Sequence, residues 1–181
     1  MPPHRFFPDP TLPSGKAFAV LDRLLDQVRI GPFYLRQAAI AEMVIDSIHH
    51  NANTLHRYSL HVFVVTPSHV HILMTPRIPL LQLTKALKGF TAKRANQMLG
   101  CSGNPFWQEE SDDHLVRNAR EGERICFYIE QDPARAGLVT GASEHPWSSA
   151  GVTRRSPADQ EVRPTRTIKV DAAIKGSRIG H

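Results

Sequence analysis

The sequence predicts a single domain of the α+β class. Three observations lead there. Several stretches repeat apolar residues at three- and four-residue steps, two β-prone segments flank one short turn, and 181 residues with 41% hydrophobic content suffice for one core but not two. These stretches read as helices and one β-hairpin, whose two strands are antiparallel.

Taken in order, residues 1–15 hold Pro2, Pro3, Pro8, Pro10 and Pro13, which remove backbone donors, so an irregular arm is expected there. From Lys16 to Arg29, Phe18, Leu21, Leu24, Leu25 and Val28 share one helical face, and Gly31-Pro32 ends the run. A second amphipathic helix is expected from Gln37 to Asn51, burying Ile40, Met43, Val44 and Ile48. Tyr58 to Val65 and His69 to Thr75, joined by Thr66-Pro67-Ser68, read as a β-hairpin. Leu80 to Leu99 reads as a helix with Leu80, Leu83, Leu87, Phe90 and Met98 inward and Lys85, Lys88 and Lys93 outward, Arg94 breaking the pattern. Gly100 to Pro105 is a loop, a short strand lies within Phe106 to Val116, and Glu121 to Gln131 is a helix ending before Pro133. The core domain thus spans 16–150, and 151–181 is expected to be a basic, weakly structured tail.

Charge and cysteine usage narrow the class. Lysine and arginine number 22 against 17 acids, a net charge of +5 that favours a polyanionic partner. Seven of those bases and three of the acids lie in 151–181, so most of the excess sits in the tail, where Arg154 and Arg155 are candidate DNA contacts. Cys101 and Cys126, without any CxxC, indicate neither a disulfide framework nor a cysteine zinc site. The N-terminus lacks a signal-peptide apolar region and no stretch approaches a membrane span, so a soluble cytoplasmic chain is expected.

Ten histidines focus attention on one tripeptide, His69-Val70-His71. In a strand, residues i and i+2 project from the same face, so the two imidazoles stand side by side and can grip one divalent ion; two solvent-facing histidines are the other reading. Tyr128 and Asp132, four residues apart, share a helical face if the helix runs that far. Tyrosine, with an ordinary pKa near 10, is a weak nucleophile that needs an electrophilic phosphate; a core aromatic and a helix-ending aspartate are the alternatives. Lys85, Lys88 and Lys93 are either phosphate contacts or a solvated face. Trp107 either stacks on an unpaired base or is buried, and His114 either approaches the site or forms a surface pair.

Read in order, Pro67-Ser68-His69-Val70-His71, Lys88-Gly89, Phe106-Trp107-Gln108, Tyr128-Ile129-Glu130-Gln131-Asp132-Pro133, Gly137-Leu138-Val139 and Trp147-Ser148-Ser149 resemble the REP-associated tyrosine transposases, HUH single-strand DNA nucleases, over roughly residues 16–150. The resemblance implies a ferredoxin-like α+β core with the HUH pair on a central strand and the tyrosine on an adjacent helix. It implies His69 and His71 as ligands of Mg²⁺ or Mn²⁺, Asp132 completing the metal site where the family usually has asparagine, and Tyr128 as nucleophile. The activity implied is metal-dependent cleavage and rejoining of single-stranded, hairpin-forming repeat DNA through a 5′-phosphotyrosine, in a bacterial, nucleoid-associated monomer or homodimer.

Two departures accompany the resemblance. Relatives commonly begin with an apolar strand that sits within the sheet, and the proline-rich arm has no comparable run, so that strand is either missing or replaced by another element, and in both cases an exposed sheet edge that favours self-association is expected. Thr66 and Ser68 stand where Met and Asn are usual. The competing reading is a domesticated DNA-binding protein that holds hairpin DNA without cutting it, and a hydrolase using water as nucleophile comes third.

Overall fold

The computed structural model describes residues 33–109, 111–150 and 165–172. After a 3₁₀ turn (Tyr34–Arg36) come α1 (Ala38–His49), a π-helical turn (His50–Thr54), β1 (Tyr58–Val65), β2 (His69–Pro76), α2 (Leu80–Met98), β3 (Asp112–Leu115), α3 (Ala119–Arg135), a second 3₁₀ turn (Ala142–Glu144) and β4 (Arg166–Asp171). The strands form one sheet, ordered β1-β2-β4-β3, with every pair antiparallel. This is an α+β arrangement with helices on the sheet, compatible with a ferredoxin-like fold. The arm, the helix expected at 16–29, and Arg154 and Arg155 lie outside the described residues.

Period-two alternation divides the strands between two faces. Phe63, Val65, Val70, Ile72, Met74, Ile168 and Val170 join Ile40, Val44 and Ile48 of α1 and Leu83 and Ala95 of α2 in the main core. Fully burying such a side chain contributes roughly 1.5–3 kcal/mol. On the opposite face Val62, Val64 and Leu73 meet Ile125, Cys126 and Ile129 of α3 in a much smaller cluster. The hairpin appears where expected, Val65 pairing with Val70 across the turn. One irregularity falls between Leu60 and Val62, at His61, whose Nε2 lies 2.8 Å from Thr75 Oγ1.

Helix α3 is anchored at its start by Asn118, whose side chain accepts the Glu121 N–H at 2.9 Å. Glu121 in turn accepts from the Arg117 N–H at 2.7 Å and pairs with His114 of β3 at 3.1 Å. Burial opposes ionisation of Glu121, but these partners outweigh it and hold the carboxyl below its usual range.

Four expectations are corrected. The tail is not uniformly irregular: β4 lies between β2 and β3, because Ile168 and Val170 supply a buried face while Thr167 and Lys169 alternate with them. An interior position in the sheet is therefore held by a strand from the C-terminal segment, and the outer edge of β1 is bridged by Trp147–Ser149, with Val65 N–H donating to Trp147 O and Ser149 N–H to Phe63 O. Helix α3 does not end before Pro133. It continues to Arg135, because proline in the last turn interrupts little that follows, and Gly137 at φ +69° closes the end while Leu138 N–H bonds Pro133 O. The second helix gives way after His49 to the π-helical turn. On α2, Phe90 and Met98 are exposed rather than inward, as the buried line runs through Leu83, Thr91 and Ala95.

Candidate functional site

β2 and α3 bring His69, His71, Tyr128 and Asp132 together on the smaller-core face. His69 is buried at the start of β2 and Asp132 wholly buried in the last turns of α3, with His69 Nε2 to Asp132 Oδ2 at 2.7 Å. On the other side of the ring, Nδ1 faces Thr66 Oγ1 at 3.0 Å and Ser68 Oγ at 3.2 Å. These hydroxyls, the two turn residues that depart from the resembled pattern, thus brace the ring. His71, two residues on, is fully buried, and its Nε2 lies 2.9 Å from Thr167 Oγ1 of β4. The histidines therefore share a face as the tripeptide predicts, but neither faces solvent.

Tyr128 is half-buried, its ring edge-on to His71 with centroids 6.4 Å apart. The Arg135 guanidinium lies 3.4 Å from the centre of the Tyr128 ring and also 3.4 Å from Asp132 Oδ1. Arg135 follows Tyr128 by seven residues and Asp132 by three, so a helix reaching residue 135 stacks all three on one face. Lys169 is a further cation here: it stands opposite His71 in the β2–β4 register and is only 2% exposed. Burial by itself raises the Asp132 pKa, yet the bond from His69 and the charges of His69, His71 and Lys169 more than compensate and hold the carboxyl well below the usual range.

Sequence reasoning missed Lys169, Thr167 and Arg135. The first two fall in the tail, where the only signal is the short alternation Thr167-Ile168-Lys169-Val170, too brief and too charged to mark a strand without sheet neighbours. Arg135 was hidden by ending the helix before Pro133.

The α2 lysines separate into two kinds. Lys88 Nζ donates to Gln108 O at 2.6 Å, Glu109 O at 2.9 Å and Ser111 Oγ at 3.1 Å, so its donors are engaged within the chain, and burial lowers its pKa. Lys85 and Lys93 are exposed. Lys85 borders a groove between α2 and the 104–113 loop, which none of His69, His71, Tyr128 and Asp132 lines. Trp107 belongs to the core, its indole N–H donating to Thr91 Oγ1 at 2.8 Å. His114 pairs with the buried Glu121 at 3.1 Å and stands opposite Thr167 in the β3–β4 register.

The donor set of His69, His71 and Asp132, two imidazoles and an ionised carboxylate, suits a hard or borderline divalent ion. If His69 Nε2 gives its lone pair to a metal, the proton moves to Nδ1, where Thr66 or Ser68 accepts it, the usual outer-sphere support of a ligating histidine. Among the described residues, however, no three His, Cys, Asp or Glu side chains are gathered as a ready metal shell. His69 and Asp132 instead bond each other directly. No helix among the described residues is long and apolar enough to cross a membrane. The chain matches no protein-family model, no curated protein and no solved structure.

Proposed function

We propose that this protein is a single-strand DNA endonuclease and strand transferase of the HUH tyrosine type, acting on hairpin-forming DNA. One observation carries the reading: residues up to 63 positions apart, a paired histidine motif on a strand and a tyrosine and carboxylate on one helix, meet on one buried face.

His69, His71 and Asp132 are the residues that would hold a divalent ion, which when bound supplies positive charge to polarise the scissile phosphate. The remaining steps belong to the chain. Tyr128 Oη attacks phosphorus in line, the P–O3′ bond breaks, the phenolic proton is lost and the 3′ oxygen takes one up, leaving a 5′-phosphotyrosine and a 3′-hydroxyl. Arg135 sets a positive charge against a ring that must become anionic during attack, and an incoming phosphate is the kind of anion that draws this guanidinium off the ring. Reversal by a second 3′-hydroxyl rejoins the strand without ATP, because the phosphotyrosine conserves the bond energy. Exposed Lys85 and Lys93 are the α2 side chains proposed to meet phosphates.

The test is incubation of hairpin-bearing single-stranded DNA with Mg²⁺ or Mn²⁺, scoring denaturant-resistant protein–DNA adducts. Wild type forms them and Tyr128→Phe loses them entirely. Absence of any adduct from wild type over a broad substrate set overturns the reading. A second reading, hairpin binding without cleavage, draws on the direct His69–Asp132 bond; it expects DNA affinity unaffected by His71→Ala or Tyr128→Phe and is removed by metal-dependent nicking.

A further inference from the structure

Lys169 is the least expected residue at the site. Lysine is almost never fully buried unless partnered, since desolvating an ammonium costs several kcal/mol. Here it is 2% exposed, in the middle of an interior strand. Its neighbour on the same face, Thr167, bonds His71, and Lys169 itself is in register with His71 on one side and with Asp112 of β3 on the other. Asp132 of α3 is buried and is met by His69 and Arg135, Asp112 is exposed, and His114, paired with the buried Glu121, stands opposite Thr167 in the β3–β4 register.

We propose that Lys169 is a built-in cation of the divalent-ion seat, a positioning residue whose fixed charge keeps divalent affinity low and leaves the carboxylate of Asp132 bonded to His69 when no metal is present. The inference deepens the nuclease reading and rests on its assignment of His69, His71 and Asp132 as ligands. Physically, a single positive charge buried beside a dication's site opposes it far more strongly than one in water, because the intervening medium screens less. A neutral carboxamide or thioether side chain at 169 lacks that opposition, which leaves two imidazoles and a carboxylate open to a metal.

Direct Mn²⁺ binding to the full chain, followed by the loss of the free-ion electron paramagnetic resonance signal, tests this without reference to cleavage. Lys169→Met and the more polar Lys169→Gln, each checked for an intact fold by circular dichroism, are expected to bind Mn²⁺ at least about tenfold more tightly than wild type. Lys169→Arg, which keeps the charge, is expected to stay within about twofold of wild type. Adding His71→Ala to Lys169→Gln must abolish the gain, which locates the ion. Unchanged or weaker affinity in the neutral variants, no measurable binding by any variant, or a gain that survives His71→Ala overturns the proposal. A tenfold gain without any Tyr128 adduct leaves the Lys169 inference standing and removes the nuclease reading, whereas adducts without the gain do the reverse.

Discussion

The two faces of the sheet are built from the same strands and spend their residues differently. Toward α1 and α2, β2 and β4 present Val70, Ile72, Met74, Ile168 and Val170, a continuous apolar surface. One position along, toward α3, the same strands present His69, His71, Thr167 and Lys169, and only Val62, Val64, Leu73, Ile125, Cys126 and Ile129 form an apolar cluster. Apolar burial is thus concentrated on one face, and on the other a network of buried polar groups must be mutually satisfied to exist at all. Such a face is held together by charge and hydrogen bonding, so it is specific in its partners and intolerant of losing one.

The largest expected effect breaks that network. Asp132→Ala removes the carboxylate that accepts from His69, bonds Arg135 and balances the nearby charge of Lys169. Removing one member of a buried ionic cluster costs about 3–5 kcal/mol, because the remaining charge stays buried and uncompensated. Urea unfolding of wild type and Asp132→Ala measures this, and a loss below about 1 kcal/mol contradicts the picture of a charge-held face.

The same division explains what could be read from the sequence. The main core was legible because long periodic runs such as Ile40, Val44 and Ile48 dominate their windows. The histidine pair was legible because two imidazoles at i and i+2 need only a strand to share a face. β4 was not, since six residues with three charges, Arg166, Lys169 and Asp171, look like a solvated tail until a sheet supplies neighbours for Ile168 and Val170. Asp132 lies on the helix although the sequence argues against it: the residue before proline is steered away from helical backbone, yet α3 continues through it and its carboxylate meets His69. Phe90 failed in the other direction, as an apolar residue at a good helical step that faces solvent because the partners of α2 lie along the Leu83–Thr91–Ala95 line.

Acid sharpens the comparison next, because the α3 face holds a buried carboxylate whose pKa is depressed. The Asp132 carboxyl has a folded pKa below its unfolded value, so its ionised form stabilises the native state fully above the ordinary carboxylate range. That contribution is lost progressively as the pH falls from about 5 toward the depressed folded value. Urea midpoints measured from pH 7 to pH 3 are expected to fall more steeply for wild type than for Asp132→Asn, which carries no titrating carboxyl. Parallel slopes would place the acid sensitivity elsewhere.

The smallest effects come from adjacent residues of β4, which separate the faces most cleanly. Thr167 Oγ1 meets His71 Nε2 at 2.9 Å, while Ile168, next in the chain, points into the main core at 3% exposure. Thr167→Val keeps the shape and β-propensity but deletes the hydroxyl, leaving a fully buried imidazole nitrogen without that partner, at about 1–2 kcal/mol. Ile168→Val removes one methylene from a packed core, at about 0.5–1.5 kcal/mol. The two stability losses are therefore similar, and the functional consequences are not. Thr167→Val releases the orientation of His71 and is expected to reduce adduct formation at least about tenfold, as loss of outer-sphere support for a ligating histidine typically does, whereas Ile168→Val leaves it within about twofold. Measured side by side by urea unfolding and the adduct assay, equal activity in the two variants would show that the polar face of β4 is packing after all.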